Sequence, residues 1–247
     1  MKIAVVGKGG SGKTTTSAVL ARTFARRGRS TLALDCDSNP NLGISLGLGE
    51  DVTEELVAVR QAVDAGERDH ATSLEDMVTH FGVDGPDGVR LAVVSAIDHP
   101  EPGGPCCGIS PEQLLGTIAG PDLIVVADFE AGLGTVMRLG GQPVDIVVVV
   151  VEPTAKSLEV GRRAAELVSE SRLGRLVVSA NRVRDDADEE RVRSALPGAE
   201  IHFVPEDPAI FDAERRGEAP MDASGPAPAV EALVRLAEGL MPSGATA

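Results

Sequence analysis

The chain predicts an α/β fold: a doubly wound, mostly parallel sheet of about seven strands flanked by helices. Three observations predict it. Short β-branched runs alternate with longer amphipathic stretches along the sequence. Several of those runs are apolar at consecutive positions, the pattern of strands covered by helices on both faces. The third is size, since 247 residues, 43% of them hydrophobic, suffice for one compact domain spanning 1–247 and are few for two.

Strands are expected at 2–6, 31–35, 90–95, 122–128, 145–151, 175–181 and 200–204. Helices are expected at 13–27, 54–64, 74–81, 111–119, 155–171, 187–196 and 227–240. The helix at 111 has a clear start signal: Ser110 as N-cap, Pro111 at the first helical position and Gln113 three residues after the cap. The acidic stretch 185–190 reads as the solvated N-terminus of the next-to-last helix, where the dipole favours negative charge. With no Trp, no Tyr and five Phe, the core must be built from Val, Leu, Ile and Ala. The tail from about 242, rich in small residues, is expected to fray.

Composition excludes several classes of partner. A formal net charge of -15, from 38 acidic against 23 basic side chains, disfavours attraction to nucleic acid or anionic lipid. No apolar run approaches the ~20 residues that span a bilayer, and no basic-then-apolar leader precedes the first strand, so the protein is expected to be cytoplasmic, with no nucleic acid and no membrane among its partners. Three cysteines do not make a disulfide framework; in a reducing compartment they are free thiols or metal ligands.

The strongest chemical signal runs from Gly7 to Thr14, where a buried strand gives way to a helix through G-x-x-x-x-G-K-[ST]. Its glycines let the backbone N–H groups of Gly9, Gly10, Ser11 and Gly12 turn inward around the β- and γ-phosphates of a nucleotide. Lys13 puts a positive charge on them, the Thr14 hydroxyl is placed to ligate Mg²⁺, and Thr15 follows at the helix start. The expected fold is therefore that of a P-loop NTPase, with ATP or ADP and Mg²⁺ as cofactors. At the end of the fourth expected strand, Asp128 stands where a carboxylate would hold Mg²⁺ through water, and the Gly132 N–H, just beyond, can meet the γ-phosphate. After the sixth, Asn181-Arg182-Val183-Arg184 has an arginine where a guanine reader would place a carboxylate, which favours ATP over GTP.

A second lysine, Lys8, lies inside the loop, and Lys-Gly-Gly-x-Gly-Lys-Thr resembles the deviant P-loop of the nitrogenase iron protein, MinD and ParA group. The resemblance implies ATP hydrolysis and an ATP-dependent homodimer in which Lys8 crosses a two-fold interface to the partner's nucleotide; the alternative is a solvated loop lysine. It also implies that 35–41, from Asp35 to Asn41, forms a first switch, with Asp37 orienting the attacking water and Asp35 a neighbour near Mg²⁺. By the same analogy Asn181 and the loop Pro205-Glu206-Asp207 form the adenine pocket.

Further features resemble the CooC-type ATPases that help insert nickel into carbon monoxide dehydrogenase: 8–15, 35–42, the Gly103-Gly104-Pro105-Cys106-Cys107-Gly108 segment, 128–132, and Val151 to Thr154 leading into Ser157. This resemblance implies a client metalloenzyme such as carbon monoxide dehydrogenase, and Cys106 and Cys107 as ligands of Zn²⁺ or Ni²⁺ shared across the dimer, since four thiolates from two subunits complete a tetrahedral site. The family's cysteines are separated by one residue whereas these are adjacent, and Gly134-Thr135 replaces the usual Glu-His. Reduced thiols in a Gly/Pro loop remain the alternative; His99 reads as a solvated loop residue and Cys36 as no ligand. A spatial regulator of the ParA or MinD kind is the competing class. It needs a basic DNA-facing patch or a basic amphipathic C-terminal helix, and the last helix has only Arg235 against Glu231 and Glu238. An iron–sulfur reductase would want a cysteine in 128–136, and there is none.

Overall fold

The computed structural model describes residues 1–64, 78, 82–94, 110–118, 120 and 122–241. In chain order these form β1 (Lys2–Gly7), α1 (Lys13–Arg26), β2 (Thr31–Cys36), α2 (Leu42–Leu46), α3 (Gly49–Asp64), β3 (Val83–Asp84), β4 (Val89–Val93), α4 (Pro111–Thr117), β5 (Ile124–Phe129) and α5 (Leu133–Leu139). They continue as β6 (Ile146–Val151), α6 (Ala155–Glu170), β7 (Arg175–Val183), α7 (Asp186–Ala195), β8 (Glu200–Pro205), α8 (Pro208–Arg215) and α9 (Pro228–Leu240).

Eight strands among the described residues make one sheet in the order β3-β4-β2-β5-β1-β6-β7-β8. All pair in parallel except β3, a two-residue antiparallel edge on β4, and it is the strand that the sequence reading lacked. Two residues carry no period, so nothing in 83–84 could announce a strand.

Each central strand divides its side chains between two cores. On β1, Ile3 and Val5 join the apolar cluster that holds Val19, Leu20 and Phe24 of α1 and Leu233 and Leu236 of α9. Ala4 and Val6 join the opposite cluster, with Leu114 and Leu115 of α4, Val136 of α5 and Leu158 of α6. This period-two partition between two covered faces is why the strands read as unbroken apolar runs; all six residues of β6 are buried. Helix α1 is also clasped from outside. Its buried Arg22 donates to Asp87 at 2.7 Å and, through two nitrogens, to Asp222 at 2.6 and 2.8 Å.

Three helices went unread in the sequence. Helices α2 and α5 are five and seven residues long and contain glycine, too short for a periodic signal. Helix α8 had a start signal in Asp207-Pro208, the cap and first-turn proline. Helix α3 begins at Gly49 rather than at 54. The capping box of Ser110 and Gln113 forms as expected. Asp185 caps α7, but Asp188 departs from the solvated reading: it is buried under Arg184 and Arg191, at 3.0 and 2.6 Å. The helix expected at 74–81, apart from Val78, and the tail from 242 lie outside the described residues.

Candidate functional site

The carboxyl ends of parallel strands form the crevice in which such sheets bind ligands, and the conspicuous loop starts there. β1 ends at Gly7 beside Val150 of β6. A Cβ on Gly7 would lie 2.3 Å from the Val150 carbonyl oxygen, so the chain can leave the sheet at this point only as glycine. Gly12 sits at φ 94°, the left-handed region, at the N-terminus of α1, and a Cβ there would lie 2.5 Å from Asn181 Nδ2. Between them the Ser11 N–H donates to the Lys8 carbonyl at 3.2 Å, closing a turn. Gly9 and Gly10 stay exposed, Thr14 and Thr15 are half-buried and Ser11 is buried. The Lys13 side chain, 7% exposed, reaches back to the Lys8 carbonyl at 3.5 Å. Lys8 is half-buried, and among the described residues its Nζ reaches the Gly9 carbonyl alone, at 3.2 Å.

Two buried carboxylates lie behind this loop. Asp35 and Asp128 are register partners on β2 and β5, 1% and 2% exposed. Burial pushes the Asp128 carboxyl up to about 7, with the charge of Asp35 adding to it, against hydrogen bonds from Thr14 and Ser17 and the charge of Lys13. Asp35 is pushed up to about 6, again chiefly by burial, although the Leu42 and Asp37 N–H groups donate to its two oxygens at 2.8 and 3.2 Å. A pair of buried carboxylates that resist ionising side by side is what a divalent cation relieves. The oxygens of Asp128 and Thr14 are the hard donors that Mg²⁺ takes, so the residues fit that ion. Ser17, whose hydroxyl donates to Asp128 at 3.0 Å, was missed in the sequence; it lies one helical turn after Lys13, and that i,i+4 spacing was its signal.

The two expected switches touch each other and the loop. Asp37 accepts from the Asn39 N–H at 2.9 Å, which holds its own turn. Ser38 donates to Glu130 at 3.1 Å, tying the first switch to the second. The Gly132 N–H donates to the Gly7 carbonyl at 3.3 Å, so the group expected at a γ-phosphate rests on the loop itself. Cys36 is buried, and burial, then the charges of Asp35, Asp128 and Glu112, raise its thiol well above the ordinary value.

At the far side Asn181 is brought to the loop across 170 residues: its Nδ2 donates to the Ser11 carbonyl at 3.0 Å and its Oδ1 accepts from Ser179 at 3.0 Å. Asp207 is fully engaged by backbone, accepting from the Ala209 N–H at 2.9 Å and the Ala229 N–H at 3.0 Å, and so capping α8 and α9 together. The Glu206 N–H donates to the Val183 carbonyl at 3.0 Å, and Pro205 is half-buried. Arg184 is paired with Asp188 at 3.0 Å. His99, Cys106 and Cys107 lie outside the described residues, among which no cluster of three or more His, Cys, Asp or Glu forms a metal site. No helix among them is long and apolar enough to cross a membrane.

The sequence model of the CobQ/CobB/MinD/ParA nucleotide binding domain matches residues 2–221. An uncharacterized ATP-binding protein of Methanocaldococcus jannaschii is 30% identical over 88% of this chain and 90% of its own length. The carbon monoxide dehydrogenase accessory protein CooC of Rhodospirillum rubrum is 28% identical over 88% of each. Among solved structures, the septum site-determining protein MinD of Pyrococcus horikoshii, in complex with Mg-ADP, superposes with a TM-score of 0.69 over 97% of this chain and 95% of that one, at 21% identity. That last likeness is one of fold.

Proposed function

The chain belongs to the CobQ/CobB/MinD/ParA nucleotide binding domain family, and from that premise we propose that it is a Mg²⁺-dependent ATPase acting as a nucleotide-dependent homodimeric switch. The observation that carries the reading is a buried cation, Lys13, set at a glycine-rich loop in the field of a buried aspartate, Asp128, that is bonded to Thr14.

In this reading Lys13 and the N–H groups of Gly9 to Gly12 bind the β- and γ-phosphates, and Thr14 and Asp128 hold Mg²⁺, which supplies charge neutralisation on the phosphate oxygens. Asp37 orients the water whose oxygen bonds to the γ-phosphorus as the bond to the β,γ-bridging oxygen breaks. Positioning and charge suffice for that displacement. The Gly132 N–H turns from the Gly7 carbonyl to the γ-phosphate, and Lys8, with no carboxylate partner among the described residues, crosses to the nucleotide of a second copy. Adenine lies between Asn181 and the Pro205-Glu206-Asp207 loop. There Asn181 keeps one N–H and one lone pair beyond its two internal bonds, and Asp207 acts by holding the loop.

Within that class we favour a CooC-type maturation factor for nickel insertion into carbon monoxide dehydrogenase or a related metalloenzyme, with Cys106 and Cys107 of two subunits gathering Zn²⁺ or Ni²⁺. The likeness to the Rhodospirillum rubrum accessory protein supports it. A MinD-like spatial regulator is the second reading, favoured by the fold likeness. Against it, α9 buries Ala229, Ala232, Leu233, Leu236, Ala237 and Leu240 within this chain, which leaves it no apolar face for a membrane surface.

Metal analysis of protein purified without a metal-affinity tag, with ADP and then with ATP, decides between them. We expect about one Zn²⁺ or Ni²⁺ per two chains, lost from a Cys106→Ser/Cys107→Ser double variant that still binds ATP. Intact ATP binding with no metal near that ratio leaves the dimeric switch and ends the metallochaperone reading.

A further inference from the structure

Among the described residues the buried carboxylates outside the phosphate site are Glu112, Glu152 and Asp188, and of these Glu112 is the one with a buried oxygen that finds no hydrogen-bond partner. Glu112, in the first turn of α4, is 1% exposed. Its Oε1 accepts from Arg138 Nε at 2.7 Å, while its Oε2 has no hydrogen-bond partner among the described residues. A buried carboxylate half satisfied is costly, and such groups persist where something other than stability selects them.

Arg138 gives the direction. It lies on α5, the helix that begins directly after Gly132. Its Nη2 also donates to the Thr135 hydroxyl at 3.3 Å, and that hydroxyl donates to the Glu130 carbonyl at 3.4 Å. The Glu130 side chain in turn accepts from Ser38, beside Asp37. An unbroken series of polar contacts therefore runs from α4 through the second switch to the first.

We propose that Glu112 and Arg138 are positioning residues of the second switch, which make α4 and α5 move as one body and so carry the nucleotide state to α4, the helix that follows the paired cysteines in the chain. The proposal rests on the reading of 7–14 as an ATP site. When Gly132 leaves Gly7 for a γ-phosphate, α5 moves with it. Arg138 then either releases Glu112, leaving a buried charge unpaired, or takes α4 along. The first course is strongly unfavourable, and the half-exposed Arg138 side chain is free to follow the second. The same pair also fixes where Glu130 and Gly132 stand when the phosphate is attacked.

The test uses the full chain. Nucleotide affinity, steady-state hydrolysis and amide exchange over 110–118 are measured with ADP and with a non-hydrolysable ATP analogue, each with Mg²⁺, for the wild type, Arg138→Met, Arg138→Lys and Glu112→Gln/Arg138→Met. The double variant leaves no unpaired buried charge, and answers the question if Arg138→Met alone folds poorly. Exchange over 110–118 in the wild type should differ between ADP and the ATP analogue. Arg138→Met and the double variant should bind nucleotide within about threefold of the wild type, lose about tenfold in kcat and lose that difference in exchange, while Arg138→Lys restores part of both. A pair that merely staples two helices would lower Tm and leave kcat and the nucleotide response unchanged, and that result overturns the proposal. Nucleotide binding with an unresponsive α4 in the wild type also overturns it, and alone; absence of nucleotide binding would remove the proposed function itself.

Discussion

The two ends of the crevice are built on opposite plans. At the phosphate end the charged groups are left wanting among the described residues: the one hydrogen bond of the Lys13 side chain is a 3.5 Å contact with a carbonyl, Asp128 is pushed up to about 7, and the Lys8 side chain reaches its neighbour's carbonyl alone. At the end proposed to take the base, the side chains of Asn181 and Asp207 are answered from within the chain. Both Asp207 oxygens cap helices, and Asn181 braces Ser11 with one end while Ser179 holds the other. A ligand charge is most strongly bound where the protein has left its own charges uncompensated, because neutralisation there relieves desolvation already incurred. Satisfied groups hold shape instead. On the proposed reading the phosphate end is built for binding, whereas the groups around Asn181 and Asp207 keep two helices and a loop in place.

Substitutions at the two ends should therefore fail in different ways, the largest effect coming from Lys13 and Asp37. Lys13→Ala should weaken ATP binding by about 10²–10³-fold and shift stability by less than about 1 kcal/mol, because the side chain supports little of the fold. Asp37→Ala should bind ATP and accumulate the ATP-bound dimer, yet lose about 10²-fold or more in kcat. Calorimetric titration beside thermal melts checks both, and a Lys13→Ala protein that melts far below the wild type would break the contrast.

Next in size is Asp207→Ala, which removes the caps of α8 and α9 at once and should cost about 2 kcal/mol of stability. At temperatures where the variant is folded, its affinity for tripolyphosphate, which has no base, should match that of the wild type. A variant of normal stability that has lost ATP alone would make Asp207 a base reader and redraw the base end.

The smallest effect serves as a reference from outside both ends. Burial raises the Asp87 carboxyl, but the guanidiniums of Arg22 and Arg26 outweigh it and hold the group below its usual range. With the folded value depressed, its contribution is complete above the unfolded value of about 4 and is lost as the pH falls through the lower folded one. Asp87→Asn should therefore flatten the acid limb of a stability–pH profile by about 1 kcal/mol and leave nucleotide affinity untouched. An effect on affinity would mean that the clasp on α1 reaches the loop at that helix's other end.

Much of the phosphate end was legible because its information is local. A glycine-rich turn, the lysine after it and the hydroxyl next to that must be consecutive to surround one phosphate, so Gly7 to Thr14 could be read as a string. The place of Asp128 was legible too, since it is the polar residue near the end of an apolar strand. The expected base end rested on resemblance alone, and the partners of Asp207 became visible only in the fold. One of them, Ala229, is 22 residues away, and a cap that joins two helices has no pattern in either.

What the sequence by itself determined was the alternation of strand and helix, the two-sided burial of the sheet and the identity of the phosphate loop, because each is a property of residues a few positions apart. Only the tertiary structure decided which groups at that sheet edge are already answered and which are left open. Asn181 meets Ser11 across 170 residues, Ser38 meets Glu130 across 92, and Glu112 meets Arg138 between two helices on the same face of the sheet. Whether a buried polar group finds its partner depends on where strand order and helix packing put the two, and no periodicity or local motif records that.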